Sequence, residues 1–204
     1  MSAHQTLLSA CAAVVLAHNS SEARPVLKLG QKVGFGMTEF YAAQDDLIPE
    51  DMKVTFFLVH FALSDETKVA MLRSIRAYPA DRVKLAPIIL VSEDCSPSEY
   101  LAFIEMGFDD IICLPEKLEI IADRLLTQLN SNHLYIETST YFGPDRRRME
   151  LSDMGRADRI STTHRHVRLV VHRSIEKGPE IIRRKDYWRR DGTRPPRIPG
   201  APWG

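Results

Sequence analysis

The sequence predicts an α/β fold, a doubly wound sheet of five parallel strands, followed by an irregular Arg-rich C-terminal tail. Three observations carry this. Residues 86–130 read as strand, helix, strand, helix, with short apolar runs at 88–91 and 111–114 and Leu118, Ile121, Leu125 and Leu129 at helical spacing. Residues 54–61 (VTFFLVHF) are apolar on both faces, the pattern of a central parallel strand. After residue 130 the texture changes: 131–204 carry fourteen arginines, six prolines and six glycines, with few apolar anchors.

Residues 12–17 (AAVVLA) form the first strand, after a ragged extension. Ser20 or Ser21 caps a helix over 22–32, with Val26, Leu27 and Leu29 apolar and Pro25 in the first turns, where it is tolerated. Gly34-Phe35-Gly36 ends that helix, 38–43 (TEFYAA) is the second strand, and 44–52, polar with Pro49, holds a short or degraded helix. The third strand covers 54–61. Ser64-Asp65-Glu66 starts a helix to about Tyr78 with Val69, Leu72 and Ile75 inward, and 78–86 is a loop. The fourth strand, 88–91, ends at Ser92. Ser96-Pro97-Ser98-Glu99 is a capping box with proline in the first turn, Tyr100, Phe103 and Ile104 share a face, and Gly107 ends the helix in a left-handed turn. Pro115 stops the fifth strand. Back-to-back βα units imply right-handed crossovers, and five strands alternating with about five helices give a flavodoxin-like doubly wound sheet.

The 204 residues suffice for one such domain, 1–130, plus an appendage, 131–204. The net charge of zero hides an asymmetry: 131–204 hold 14 Arg and 2 Lys against 9 acidic residues, net +7, so 1–130 carry −7. A basic tail beside an acidic domain suggests docking on that domain or on an acidic partner. Cys11, Cys95 and Cys113 show no metal-ligand spacing and read as small buried or half-buried side chains in a reducing cytosol. No basic region precedes the apolar stretch 7–16, and no run approaches the roughly 18 apolar residues of a membrane span. The expected location is cytoplasmic, with no membrane partner.

A serine ending one strand, an amphipathic helix followed by glycine, and a proline closing the next strand are joined upstream by TFFLVHFALSDETKVAMLRSIRA, PIILVS and VGFGMTEFYAAQDD. Together they resemble the receiver domain of two-component (phosphorelay) response regulators, CheY-like, over roughly residues 10–130. The resemblance implies an aspartate phosphoacceptor at the end of strand three, an acidic pair after strand one for Mg²⁺, a Ser or Thr ending strand four, and a Lys before the proline after strand five. Carboxylate attack on a phosphoryl group needs the cation and the ammonium to neutralise developing charge. At these positions stand His60, Ala17 and His18 (or His18 and Asn19 if the register slips by one), Ser92 and Leu114; only Ser92 and Pro115 are retained. Ile111 occupies the place of the aromatic that moves with Ser92. Imidazole, methyl and isobutyl groups do not make a hard-cation oxygen site.

The resemblance therefore implies a pseudo-receiver: no catalytic residue, no cofactor, no metal, and signalling by protein binding through the last helix and its neighbouring strand. His18 and His60 read either as a pH-sensitive or metal-binding pair or as space-fillers hydrogen-bonded to backbone. A second alternative keeps phosphorylation, on a non-standard acceptor such as Asp65 or Asp45.

The tail lacks the two amphipathic helices of a DNA-reading module. It has strand patterns at 166–172 (HVRLVVH) and 140–142, the latter before a Gly143-Pro144-Asp145 turn; the remainder reads as extended or disordered. Its candidate binding residues are Arg146, Arg147 and Arg148, Arg183 and Arg184 before Lys185, and Trp188, Arg189 and Arg190 beside Tyr187. These suit docking on its own acidic domain, an acidic protein partner, or nucleic acid or a cyclic dinucleotide.

Overall fold

In a computed structural model of the chain, residues 7–41, 52–145 and 166–187 are described. The body runs β1 (Cys11–Leu16), α1 (Ser20–Val33), β2 (Met37–Phe40), β3 (Val54–His60), α2 (Asp65–Arg76), the short α3 (Asp81–Lys84), β4 (Ile88–Glu93), α4 (Pro97–Met106), β5 (Asp110–Leu114) and α5 (Leu118–Leu126). The five strands are all parallel, in the order β2-β1-β3-β4-β5. This is the flavodoxin-like doubly wound sheet that the sequence predicts, and the strand order reverses between β1 and β3.

The period-two alternation of each strand feeds two cores. Ala13, Val15, Phe56, Leu58, Ile89 and Val91 meet Val26 of α1 and Ile121 and Leu125 of α5. Val14, Phe57, Val59, Ile88 and Leu90 meet Leu72 and Ile75 of α2, Val83 of α3 and Ile104 of α4 on the other face. Each fully buried Val, Leu, Ile or Phe stabilises the fold by roughly 1.5–3 kcal/mol.

Ser64 caps α2 by accepting from the Thr67 N–H, and Ser96 and Glu99 form the expected capping box on α4. Gly107 follows α4 at φ 122°, a conformation that favours glycine. Two local expectations are corrected. Asn19, not Ser20 or Ser21, caps α1, because the helix begins at Ser20 and the Asn19 side chain accepts from the Glu22 N–H at 3.0 Å. The loop at 78–86 contains the helical turn of α3, which brings Val83 and Leu85 under cover. The degraded helix expected at 44–52 lies almost wholly outside the described residues.

The irregular tail is also corrected. Residues after 131 form β6 (Asn132–Glu137), β7 (Phe142–Pro144), β8 (His166–Ser174) and β9 (Gly178–Tyr187), an antiparallel sheet in the order β7-β6-β8-β9. β8 matches the pattern at 166–172, whereas the strand expected at 140–142 is displaced: β7 runs Phe142–Pro144, so Gly143 and Pro144, expected as a turn, lie in the ladder. β6 and β9 were not expected, since β9 ends in Arg183-Arg184-Lys185-Asp186 and reads as solvated when its partner strand is unknown. The apolar anchors are few but sufficient: Tyr135, Val167, Leu169 and Val171 line the inner face and close over Leu85 of the body. Residues 146–165 and 188–204, where disorder was expected, lie outside the described residues.

Candidate functional site

The carboxyl ends of the parallel strands are where ligands bind in such sheets. Leu16 pairs with Val59, so the next residues, Ala17 and His60, lie side by side. His60 is the last residue of β3, half-buried, and its Nδ1 accepts from the Ala62 N–H at 3.2 Å. Its ring sits 4.7 Å from that of Phe61. His18 is exposed, and no hydrogen bond, ion pair or ring contact joins it to His60. Asn19 is committed to its helix cap.

Ser92 is 5% exposed and pairs with Cys113; its hydroxyl donates to the Glu93 carbonyl at 2.8 Å. Ile111 is fully buried in the core under α2 and α4. Leu114 packs against the opposite core, and the Leu114–Pro115 bond is cis. Cys95 and Cys113, distant in sequence, meet here: burial first, then a hydrogen bond with Cys113, pushes the Cys95 thiol up to about 12. Burial alone pushes Cys11 to about 12. Among the described residues no three His, Cys, Asp or Glu side chains are grouped to hold a metal ion. Asp65, the first residue of α2, is exposed and paired with Lys68 at 3.0 Å; Asp45 lies outside the described residues.

The densest polar chemistry lies at the opposite end of the sheet and escaped sequence reasoning. Asp109, just before β5, is wholly buried. Its Oδ2 accepts from Arg76 Nη2 at 2.5 Å and from the Ile88 N–H at 2.8 Å, its Oδ1 from Arg173 Nη2 at 2.9 Å and the Tyr135 hydroxyl at 2.6 Å. Arg173 Nη2 also donates to the Tyr135 hydroxyl oxygen, Nε to the Leu85 carbonyl at 2.9 Å and Nη1 to Gln128 Oε1 at 2.8 Å. Burial opposes ionisation of Asp109, but the Arg173 and Arg76 guanidiniums and the Tyr135 hydrogen bond outweigh it and hold the carboxyl well below the usual carboxylate range. Burial likewise raises Tyr135, and the net effect of its neighbours leaves it protonated and donating. Arg76 also lines an open cleft of about 640 Å³ beside Tyr141 and Thr138, and its Nε has no hydrogen-bond partner. The signal for this cluster was in β8: Val167, Leu169 and Val171 alternate inward, and Arg173 is the next inward position.

A second polar group organises the α4–β5–α5 face. Arg124 of α5 donates through Nε to Asp110 Oδ2 at 3.1 Å and through Nη2 to Asp110 Oδ1 and to the Tyr100 hydroxyl of α4, which itself donates to Asp110. Leu101, Leu118 and Ile120 stand exposed on these helices. Among the tail candidates, Arg184 pairs with Glu137 at 3.0 Å and Arg183 is exposed on β9. Arg146, Arg147, Arg148, Trp188, Arg189 and Arg190 lie outside the described residues. No helix among the described residues is long and apolar enough to cross a membrane.

No family model and no curated protein matches the chain. Among solved structures it is similar to the signal receiver domain of a signal transduction histidine kinase from Syntrophus aciditrophicus, at 18% identity and a TM-score of 0.39 over 57% of this chain and 89% of that one. It is also similar to a response regulator in red light signaling of R. palustris, at 8% identity and a TM-score of 0.38 over 56% and 87%.

Proposed function

We propose that the chain is a non-catalytic signalling protein of the two-component response-regulator type, a pseudo-receiver that acts by binding a protein partner. The observation that carries this reading is the rim: the side-by-side residues at the ends of β1 and β3 are Ala17 and His60, where a phosphoryl-accepting receiver needs carboxylates. Leu114 at the end of β5 supplies no ammonium. In this reading Ala17 and His60 supply neither a carboxylate oxygen for Mg²⁺ nor an attacking carboxylate at those two positions. His60 Nδ1 accepts a hydrogen bond from the Ala62 N–H, which ties one side of the ring to the backbone.

The contact surface in this reading is the α4–β5–α5 face. Tyr100, Asp110 and Arg124 tie its elements together, and Leu101, Leu118 and Ile120 are open to solvent. The test is phosphoryl transfer from labelled acetyl phosphate with Mg²⁺ to the full chain. No hydroxylamine-labile label is expected. A labile acyl phosphate would support the phosphorylatable alternative instead, and peptide mapping to Asp45 or Asp65 would name its acceptor.

A further inference from the structure

The charge of the tail was expected to dock on the acidic body or on an acidic partner, and among the described residues its cations fall on two faces of one sheet. Arg173 points inward and is consumed by Asp109, Leu85 and Gln128. The alternation that turns Val167, Leu169, Val171 and Arg173 inward turns His166, Arg168 and Val170 outward. Their partners on β9 are Tyr187, Lys185 and Arg183 in the same register. Arg168, Arg183 and Lys185 are therefore exposed cations on the face opposite the inward-facing apolar residues.

These cations are placed rather than scattered. Arg168 lies 4.8 Å and Lys185 5.1 Å from the Tyr187 ring, which stacks at 5.0 Å on His166 with the planes 3° apart. Cation–π attraction sets the two positive groups close together despite their repulsion. Along β9, Arg183 and Lys185 are two residues apart, about 7 Å in an extended strand. One rung further, a bulge at Val170/Val171 leaves Ile182 beside Arg183, opposite Val170, whose partner on β6 is Leu134. Leu134 and Ile182 are 56% and 49% exposed, high values for such side chains. The sheet face thus presents a row of cations next to two exposed apolar side chains, Leu134 and Ile182.

We infer that the outer face of the β6–β8–β9 sheet binds single-stranded nucleic acid, its phosphates on Arg168, Arg183 and Lys185 and its bases against Leu134 and Ile182. Single strands expose regularly spaced phosphates together with apolar base faces, and sheet faces with this composition suit them. An acidic peptide matches the cations but not the exposed apolar pair beside them.

The test is fluorescence anisotropy of the full-length protein with a labelled homopolymeric oligonucleotide. Three phosphate contacts predict a log–log salt slope near −2, a weakening of roughly twentyfold between 50 and 200 mM salt. Replacing all three cations (R168Q, R183Q, K185Q) is expected to lower affinity by about tenfold or more and to remove about 2 from the slope. Arg184→Gln, whose residue pairs with Glu137, serves as the single-charge control and is expected to leave the slope unchanged, whereas Arg183→Gln alone should remove about 0.7 from it. These side chains are exposed, so the circular dichroism spectrum of each variant should match the parent. Unchanged affinity and slope in the triple variant would overturn the inference. Displacement of the oligonucleotide by oligoglutamate at equal charge concentration would also overturn it, and would make an acidic protein segment the occupant.

Discussion

Arg173 reaches back across 64 positions of chain to Asp109, with Nη2 2.9 Å from Oδ1 and neither side chain exposed. This contact joins the antiparallel sheet to the amino-terminal edge of the parallel one. It ties β8 to the body through a salt bridge buried from water.

Asp109→Asn is expected to destabilise the protein by about 3–5 kcal/mol, since it leaves the buried guanidiniums of Arg76 and Arg173 without their anion. The pH dependence follows from the depressed carboxyl. Its stabilisation is complete above the unfolded value of about 3.9 and is lost as pH falls toward the lower folded value. Urea unfolding between neutral pH and strong acid should show this loss in the parent and a shallower fall in the variant.

Arg173→Met is expected to cost a comparable amount and to couple with Asp109→Asn. In a double-mutant cycle by urea unfolding, the two should be non-additive by at least about 1 kcal/mol. Removal of 131–204 is expected to yield a body in which Asp109 loses its Arg173 and Tyr135 partners and Leu85 is uncovered, exposing apolar surface to dye binding. Full additivity, or a truncated body as stable as the parent, contradicts this role.

Gly36→Ala tests the packing beneath β2. A Cβ at Gly36 would stand 2.0 Å from the Ser9 carbonyl oxygen, a backbone atom unable to move aside alone. Thermal unfolding should show a loss of about 1–3 kcal/mol, the range of overpacking.

On the proposed docking face, Leu118→Glu and Ile120→Glu should leave stability within about 0.5 kcal/mol, as surface substitutions do. Arg124→Ala should cost about 0.5–1 kcal/mol, because the guanidinium that ties Asp110 to Tyr100 is open to solvent on one side. The contrast, read by urea unfolding, separates a face held rigid from the apolar residues it displays.

The body was legible because its signals are local. Capping residues at Ser64 and Ser96, glycine at 107 and two-sided apolar runs each specify an element without knowledge of its neighbours. The positions of Ala17, His60 and Leu114 at the strand ends were legible for the same reason, since they follow by counting along β1, β3 and β5. The second sheet was only half legible. β8 alternates, but β9 carries its cations on a strand whose pairing gives them meaning, and no local pattern announces that pairing. Asp109, Arg76, Tyr135 and Arg173 come together from four separate stretches. Arg173 alone left a trace, as a charged residue in an inward register, and arginine in a basic segment reads as solvated until its strand is placed. The Cys95–Cys113 contact was hidden likewise, since it arises from the meeting of the β4 and β5 ends.

The central claim is that the rim lacks the oxygens for metal-assisted phosphoryl chemistry. It is tested most directly by titrating the isotope-labelled full-length protein with Mg²⁺ and then beryllofluoride, and following backbone amide resonances. The expected result is no saturable change at the ends of β1, β3 and β5. Saturable shifts centred on Ala17, His60 and Leu114, growing with beryllofluoride, would contradict the account.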